Sequence, residues 1–486
     1  MPYRTIETFT TESGAAAVAT GKDRSRIAAS PLAALLSVSL ALALLVCPAW
    51  GEAKVSSDTI VLRGGTVFDA HTGTMVPDQT IVISGDRIER VIPNSTAFDP
   101  PAGSQVMDVR GKYIIPGLID GHVHITHQLN LAHMTGDEVF PLFLAAGVTS
   151  LRDVGDTIMT QKLLARYAEA NSGSCPRVFM CSPLIDGSQP FHQDIGWAVP
   201  DPEKVPDFVA DMAAWGVTTL KLYVGTERPV GKRIIEEGHN HGLIVTAHLG
   251  LYSAQDAVAD GIDCLEHIWS VFDYIIPDGP RPEGYRSSMD LTTPKAQDLI
   301  NSIAQHHVRV DPTLTIFRNS LLLTDLEAVW KNPDLAHVPA RLQRRWEAHR
   351  AGQDLKPETF DLRKREFDKY QELTGILYRA GITILAGTDT PEPYVIPGFS
   401  LLDELERLVE SGLTPAAALQ AATINNAGIL KQETQLGSIT PGKLADLVVL
   451  SADPLADIRN VRQIEQVIRG GIVSDPQELF KLVPTE

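Results

Sequence analysis

Two histidines spaced two residues apart give the clearest metal-binding signal in this chain. An apolar, β-prone run at residues 113–115 leads into His122 and His124. Side chains two apart on a strand point to the same face, so both imidazoles can reach one site. Neutral imidazole nitrogens are common metal ligands. The spacing therefore predicts that His122 and His124 bind one metal ion.

Four further residues of suitable chemistry lie near the ends of predicted strands, namely Lys221, His248, His267 and Asp389. A lysine inside an apolar run is unusual, because burying an unpaired ammonium costs several kcal/mol. Lys221 therefore forms a buried ion pair, or the strand ends before it and leaves it at the surface. The third alternative is a neutral amine that carbon dioxide converts to a carbamate. Asp389 is either a helix N-cap or a ligand and base.

Strand and helix signals alternate through residues 113–430, which predicts an α/β fold with a parallel sheet wrapped by helices. Eight predicted strands suggest a (β/α)8 TIM-like barrel, whose chemistry lies at the carboxyl ends of the strands. We expect these strands to end near His124, Asp153, Met180, Tyr223, His248, His267, Thr313 and Asp389. We expect an insert of two or three helices at about residues 318–374. These helices either cover the mouth of the barrel or lie on its surface exposed to solvent.

Short β-strands are predicted on both sides of this region, in residues 52–112 and 431–486. In the first part, strands at 60–63 and 65–68 are separated by Gly64 and Gly65. The second part contains predicted strands at 437–439, 445–450 and 467–473. We expect the two parts to form one small β-sandwich domain that the barrel interrupts.

The composition describes an ordinary globular protein. The chain has 486 residues, of which 21% are charged and 44% hydrophobic, with a net charge of −18. No basic stripe is present in the sequence, so nucleic acid is excluded as an expected partner. The length is sufficient for one large domain and a smaller one.

The first 51 residues are typical of a signal peptide. Arg24 and Arg26 precede an apolar run at residues 32–46, and small residues follow at Ala49 and Gly51. A run this short favours cleavage and export, to the periplasm or outside the cell, over an uncleaved signal anchor or stable membrane insertion. Cys175, Cys181 and Cys264 remain after cleavage, and we expect buried thiols, although Cys175 and Cys181 could pair.

The chain resembles the amidohydrolase superfamily, and most of all its secreted imidazolonepropionase-like or prolidase-like branch, which includes Xaa-Pro and Xaa-Arg dipeptidases. The resemblance covers about residues 58–475. Its motifs are residues 122–124, residues 147–153, Lys221, His248, residues 266–267, residues 387–389 and residues 437–448.

This resemblance implies a ligand set for two divalent metal ions. His122, His124 and Asp389 would hold the first ion, His248 and His267 the second, and Lys221, as a carbamate made from CO2, would bridge them. Zinc is the default for this ligand set, with manganese or iron as alternatives. The implied reaction is hydrolysis of a C–N amide bond by a metal-bridging hydroxide, with Asp389 as base and then acid.

Three further residues are candidates for contact with substrate, and the resemblance suggests the first of them, Tyr223. Tyr223 faces the same way as Lys221 and would hydrogen-bond the substrate or the tetrahedral intermediate. His192 either contacts substrate or lies at the surface, and Arg318 either binds a substrate carboxylate or packs outward. We expect Glu266 to point away from the metals into a supporting contact.

We expect a hydrolase of dipeptides or N-acyl amino acids. One alternative is a mononuclear cyclic-amide hydrolase or deaminase of the imidazolonepropionase type, which does not depend on the lysine. Others are a lactone or ester hydrolase and a non-catalytic binding protein. Related enzymes often assemble into dimers or larger rings, so a homo-oligomer is also an expectation.

Overall fold

The computed structural model describes residues 59–276, 284–323, 328–329, 331–352 and 360–486. The predicted signal peptide lies outside these residues. Within them, no helix is both long enough and apolar enough to span a bilayer.

The part of the chain that the structure describes begins with five strands, which precede the first described helix. They are β1 (Thr59–Asp69), β2 (Thr74–Ser84), β3 (Arg87–Pro93), β4 (Gln105–Asp108) and β5 (Tyr113–Pro116). The prediction of two strands at 60–63 and 65–68 was wrong, because β1 runs through both. Gly64 takes a left-handed φ of 81°, and the pairing register with β2 shifts around Gly65, so these glycines form a bulge instead of a break.

Nine short strands follow among the described residues up to Asp311, and every pairing between them is parallel. They are β6 (Leu118–Val123), β7 (Val148–Asp153), β8 (Arg177–Phe179), β9 (Leu184–Asp186), β10 (Gly196–Ala198), β11 (Thr219–Leu222), β12 (Ile244–Ala247), β13 (Cys264–Glu266) and β14 (Arg309–Asp311). The order β6-β7-β8 forms one sheet, and β10-β9-β11-β12-β13-β14 forms another. A parallel bridge from Cys181 to Thr219 connects them.

The last predicted strand of this region, ending at Asp389, is not a regular strand. It makes only isolated parallel bridges, from Ile384 to Val310 on β14 and from Thr390 to Val123 on β6. Asp389 takes a left-handed φ of 64°, which interrupts the extended backbone. The segment still hydrogen-bonds to strands on both sides, and it brings Asp389 beside His122.

Helices alternate with these strands, and the main hydrophobic core lies between the two kinds of element. The helices are α1 (His127–Leu131), α2 (Phe140–Ala145), α3 (Ile158–Ala170), α4 (Val205–Trp215), α5 (Arg228–Asn240), α6 (Ala254–Ala259), α7 (His267–Ile275), α8 (Pro294–Gln305), α9 (Leu314–Leu322), α10 (Ala340–Ala351), α11 (Phe360–Arg379), α12 (Phe399–Glu410), α13 (Pro415–Gln420), α14 (Asn426–Ile429) and α15 (Pro476–Phe480).

Helices α9, α10 and α11 lie in or overlap the predicted insert. Trp346 of α10 is fully buried, and its Nε1 donates a hydrogen bond to the carbonyl of Pro391 at 3.1 Å. Pro391 is two residues beyond Asp389, so the insert packs against the loop that positions Asp389.

The two ends of the described chain meet in one sheet. Three last strands, β15 (Leu447–Leu450), β16 (Ile464–Arg469) and β17 (Ile472–Ser474), join β5 through antiparallel pairing of β15. The order is β17-β16-β15-β5-β1-β2-β3, with β4 beside β1.

Two predicted C-terminal strands differ from the structure. Residues 437–439 form no strand, because Gly437 takes a left-handed φ of 81° and Ser438 is hydrogen-bonded to Lys443 Nζ at 2.6 Å. The run 467–473 is divided into β16 and β17 by Gly470 and Gly471, both with positive φ, as a tight hairpin requires.

Candidate metal centre

The predicted metal ligands come from six places along the chain, and each lies in the parallel-strand region. His122 and Lys221 are on β6 and β11, His124 and His248 follow β6 and β12, and His267 begins α7 directly after β13. Parallel strands present their carboxyl ends at one edge, so side chains from different strands converge there.

His122, His124 and Asp389 form the tightest group. The Nε2 atoms of His122 and His124 lie 3.5 Å and 3.3 Å from Asp389 Oδ1. Burial opposes ionisation of Asp389, but the neighbouring histidines outweigh it and hold the pKa of that carboxyl well below its ordinary value. Two imidazole nitrogens and one carboxylate oxygen suit a divalent transition metal.

His248 and His267 form a second group beside the first. Their ring centroids are 4.5 Å apart, and the ring of His267 is 4.6 Å from that of His122. Burial lowers the pKa of His248 to about 3. This imidazole is therefore neutral at pH 7, as a metal ligand must be.

Lys221 lies buried near both groups, with only 1% of its surface exposed. Its Nζ has no hydrogen-bond partner among the described residues. Burial lowers its pKa, although Glu266 and Asp389 act in the opposite direction. An ammonium without a partner is costly at such a position, whereas a lysine carbamate would place oxygen ligands there. The group of His122, His124 and Asp389 therefore fits a divalent cation, and oxygen ligands on Lys221 would extend the donor set toward His248 and His267.

The orientations of His122 and His124 are fixed by contacts behind their rings. His124 Nδ1 donates to the carbonyl of Gly155 at 2.9 Å, and His122 Nδ1 donates to Glu266 Oε2 at 2.8 Å. Each contact leaves Nε2 directed toward Asp389, and His122 Nε2 has no hydrogen-bond partner among the described residues. Such contacts set the tautomer and orientation of metal-binding histidines.

Glu266 is the centre of a buried polar network. It accepts hydrogen bonds from His122, from Thr246 Oγ1 and from Arg152 at 2.6 Å, and Asp311 lies 3.6 Å from Arg152. Burial opposes ionisation of Glu266, but the Arg152 and Lys221 charges keep its pKa well below its ordinary value. The sequence indicated that Glu266 points away from the metals, and it gave no signal for Asp311.

Glu266→Gln is expected to destabilise the fold by roughly 3 kcal/mol, because Arg152 loses its closest buried carboxylate. Asp311 can ionise and replace part of the lost negative charge beside Arg152. The expected loss of stability is therefore at the lower end of the range for breaking a buried ion pair. Urea unfolding measures this change. In the control Glu410→Gln, which removes a half-exposed partner of Arg407, the loss should stay below about 1 kcal/mol. Equal losses in the two variants would contradict the structural role of Glu266.

Two of the predicted substrate-contacting residues touch each other. His192 Nε2 and Tyr223 Oη lie 3.0 Å apart, and the Tyr223 ring centroid is 5.1 Å from that of His248. Burial and the charge of His127 lower the pKa of His192 to about 4. The two side chains thus form a polar pair at the edge of the histidine cluster.

Arg318 lies on α9, where it is half-buried. Thr313, at the start of that helix, contacts His267 Nδ1 through its hydroxyl at 2.8 Å. The role of Arg318 in binding a substrate carboxylate stays a prediction.

Two polar residues close to the His192–Tyr223 pair, His127 and Asp194, were not among the residues that the sequence predicted for the site. His127 Nδ1 lies 3.0 Å from Asp194 Oδ2, and the rings of His127 and His192 are 4.8 Å apart. The only available signal was a third histidine three residues after His124, since Asp194 comes from a distant loop. Cys175, Cys181 and Cys264 are buried free thiols, as expected.

The fold and site define an α/β protein with histidine, lysine and aspartate side chains gathered at the ends of parallel strands. A model of the amidohydrolase family matches residues 113–473. The match covers most of the chain, and the chain belongs to the amidohydrolase family.

Curated relatives and solved structures give further similarity. An adenine deaminase of Rubrobacter xylanophilus is 25% identical over 422 residues, covering 85% of this chain and 58% of that protein. The chain thus spans less than two thirds of the length of such relatives.

Among solved structures, a protein from Bifidobacterium longum described as a candidate prolidase has a TM-score of 0.66 and 25% identity. The alignment covers 88% of this chain and 98% of that one. A bottromycin amidohydrolase has a TM-score of 0.68 and 21% identity, covering 87% and 88% of the two chains. This second likeness is one of fold alone.

Proposed function

We propose that this protein is a metal-dependent hydrolase that cleaves a C–N amide bond in a dipeptide or N-acyl amino acid. The observation that carries the proposal is Lys221, a buried lysine without a hydrogen-bond partner for its Nζ among the described residues, close to His122, His248 and Asp389. A carbamate at this position would supply the bridging ligand of a two-cation site.

The architecture proposed for this activity is a closed (β/α)8 barrel over residues 113–430. The segment ending at Asp389 would be the eighth of the predicted strands, and the short strands β9 and β10 are additional to those eight. The bridges from Ile384 to Val310 and from Thr390 to Val123 support closure. Residues 52–112 and 431–486 would form the small β-sandwich domain. The antiparallel bridge between Arg87 and Leu444 supports their association, and β5 lies between β1 and β15 in the same sheet.

In this proposal, His122, His124 and Asp389 would hold one cation, His248 and His267 would hold the other, and Lys221, as a carbamate, would supply oxygen ligands to both. Zinc is the proposed metal. When bound, the cations would polarise the scissile carbonyl and lower the pKa of a water molecule.

Asp389 is the proposed proton carrier. It accepts the proton that water loses as its oxygen attacks the carbonyl carbon. It then delivers that proton to the nitrogen as the C–N bond breaks, so one carboxylate acts first as base and then as acid. Tyr223 donates a hydrogen bond to the developing oxyanion, and His192 orients the Tyr223 hydroxyl.

Tyr223→Phe is expected to lower kcat by about 100-fold, since one donor to the oxyanion is removed. The phenylalanine ring keeps the packing against His248, so cation content should not change. Steady-state kinetics and elemental analysis of the same preparation test both statements. Full activity in Tyr223→Phe would exclude the donor role.

The reaction is tested by incubating the protein with Xaa-Pro and Xaa-Arg dipeptides, N-acyl amino acids, adenine and a simple lactone. Release of free amino acids supports the proposal. Ammonia release from adenine would instead support a deaminase, the alternative favoured by the similarity to adenine deaminases. Lactone hydrolysis without amide cleavage would favour a lactone or ester hydrolase.

We further propose export through a cleaved signal peptide at residues 1–51, with activity as a homo-oligomer. The apolar run at 32–46 and the small residues before Glu52 support cleavage. N-terminal sequencing of the exported protein would test the cleavage site.

A further inference from the structure

A second cluster of possible metal ligands lies outside the two-cation site. It consists of His127, His192 and Asp194, each of which offers one ligand atom, and these atoms all lie within 4.8 Å of one another. The closest contact is 3.0 Å between His127 Nδ1 and Asp194 Oδ2, and the rings of His127 and His192 are 4.8 Å apart. Two imidazoles and one carboxylate are a common zinc-binding set.

The backbone around these residues is fixed by hydrogen bonds. Thr126, just before His127, donates its backbone NH to Asp156 Oδ2 at 2.8 Å. On the other side, Phe191 donates its NH to Asp186 Oδ2 at 2.8 Å, and Gly196 donates to the carbonyl of His192 at 2.9 Å. The loop that includes His192 and Asp194 is thereby fixed at both ends.

The cluster is open to solvent on one side. The His127 side chain is 10% exposed, whereas that of Asp194 is 46% exposed. Ligands of one tetrahedral zinc ion lie roughly 3.3 Å apart, so small side-chain rotations would close the group around a cation. Solvent would complete the coordination, since three protein ligands leave a position open.

We propose that His127, His192 and Asp194 form a third divalent-cation site, which binds zinc more weakly than the two-cation site and exchanges it with solvent. The site lies beside Tyr223 through the contact of that residue with His192. The proposal is independent of the reaction, because it concerns cation binding alone.

The test is calorimetric titration of the full-length protein with zinc, after dialysis has left only the tightly held cations. We expect one further equivalent in the wild type. Asp194→Asn and His127→Gln should each weaken it at least about 100-fold, because each removes a ligand atom. Elemental analysis of both variants should show an unchanged tightly held cation content.

His239→Gln is the matched control. His239 lies 3.0 Å from Asp263 in a partly exposed pair, but that pair belongs to no three-ligand group among the described residues. The variant His239→Gln should bind the additional equivalent of zinc with the affinity of the wild type. The proposal is overturned if the wild type takes up no additional zinc, or if Asp194→Asn and His127→Gln bind it with wild-type affinity. Because additional zinc is counted above the dialysed content, an incorrect account of the two-cation site leaves this test valid.

Discussion

Lys221→Ala is expected to lower kcat/KM by at least about 1,000-fold and to remove most of the tightly held cation. In the proposed site the lysine carbamate would be a ligand of both cations, and these would supply several kcal/mol of charge stabilisation in the transition state. Alanine would remove that ligand and open a cavity near His248. Elemental analysis and steady-state kinetics of one preparation measure both effects.

Two comparisons separate a carbamate from a structural ammonium. A short carboxylic acid such as propionate should restore part of the activity of Lys221→Ala, whereas a short alkylamine should not. The control is Lys443→Ala, since Lys443 is also buried but its Nζ contacts the carbonyl of Leu436 and Ser438 Oγ. Lys443→Ala should reduce stability while cation content stays unchanged. Unaltered cation content in Lys221→Ala would exclude the carbamate bridge.

Asp389→Asn is expected to lower kcat by about 100- to 10,000-fold, the range found for a positioned acid or base. Asparagine preserves the shape of the side chain but cannot accept the proton from water. It also removes the carboxylate whose pKa His122, His124 and His267 hold below its ordinary value. Single-turnover kinetics at several pH values measure the loss of the chemical step.

The control for this variant is Asp403→Asn. Asp403 forms an ion pair with Arg462 away from the candidate metal centre. Turnover per folded molecule should match the wild type in Asp403→Asn. If Asp389→Asn kept more than about a tenth of wild-type kcat, another group would have to move the proton.

Local sequence patterns predicted much of the site because each ligand is linked to a strand end. The His122–His124 spacing, the lysine within an apolar run and the aspartate after residues 382–388 all depend on strand geometry, which short segments determine. The structure brings these residues together, as the alternation of strands and helices indicated. Their function as ligands stays a proposal.

The sequence did not predict features that depend on close packing or on distant loops. Gly64 bends β1 without ending it, and Gly387 allows the segment before Asp389 to approach His122, with which any larger side chain would collide. The contact between His127 and Asp194 joins residues 67 positions apart. No local periodicity encodes such a contact, so only the folded chain reveals it.

The most direct test of the central claim is the zinc content of the purified protein, produced with zinc and bicarbonate and then dialysed exhaustively against metal-free buffer. The proposed bridge between two cations predicts two equivalents per chain. One equivalent or none would contradict the two-cation site and would leave Lys221 a structural role only.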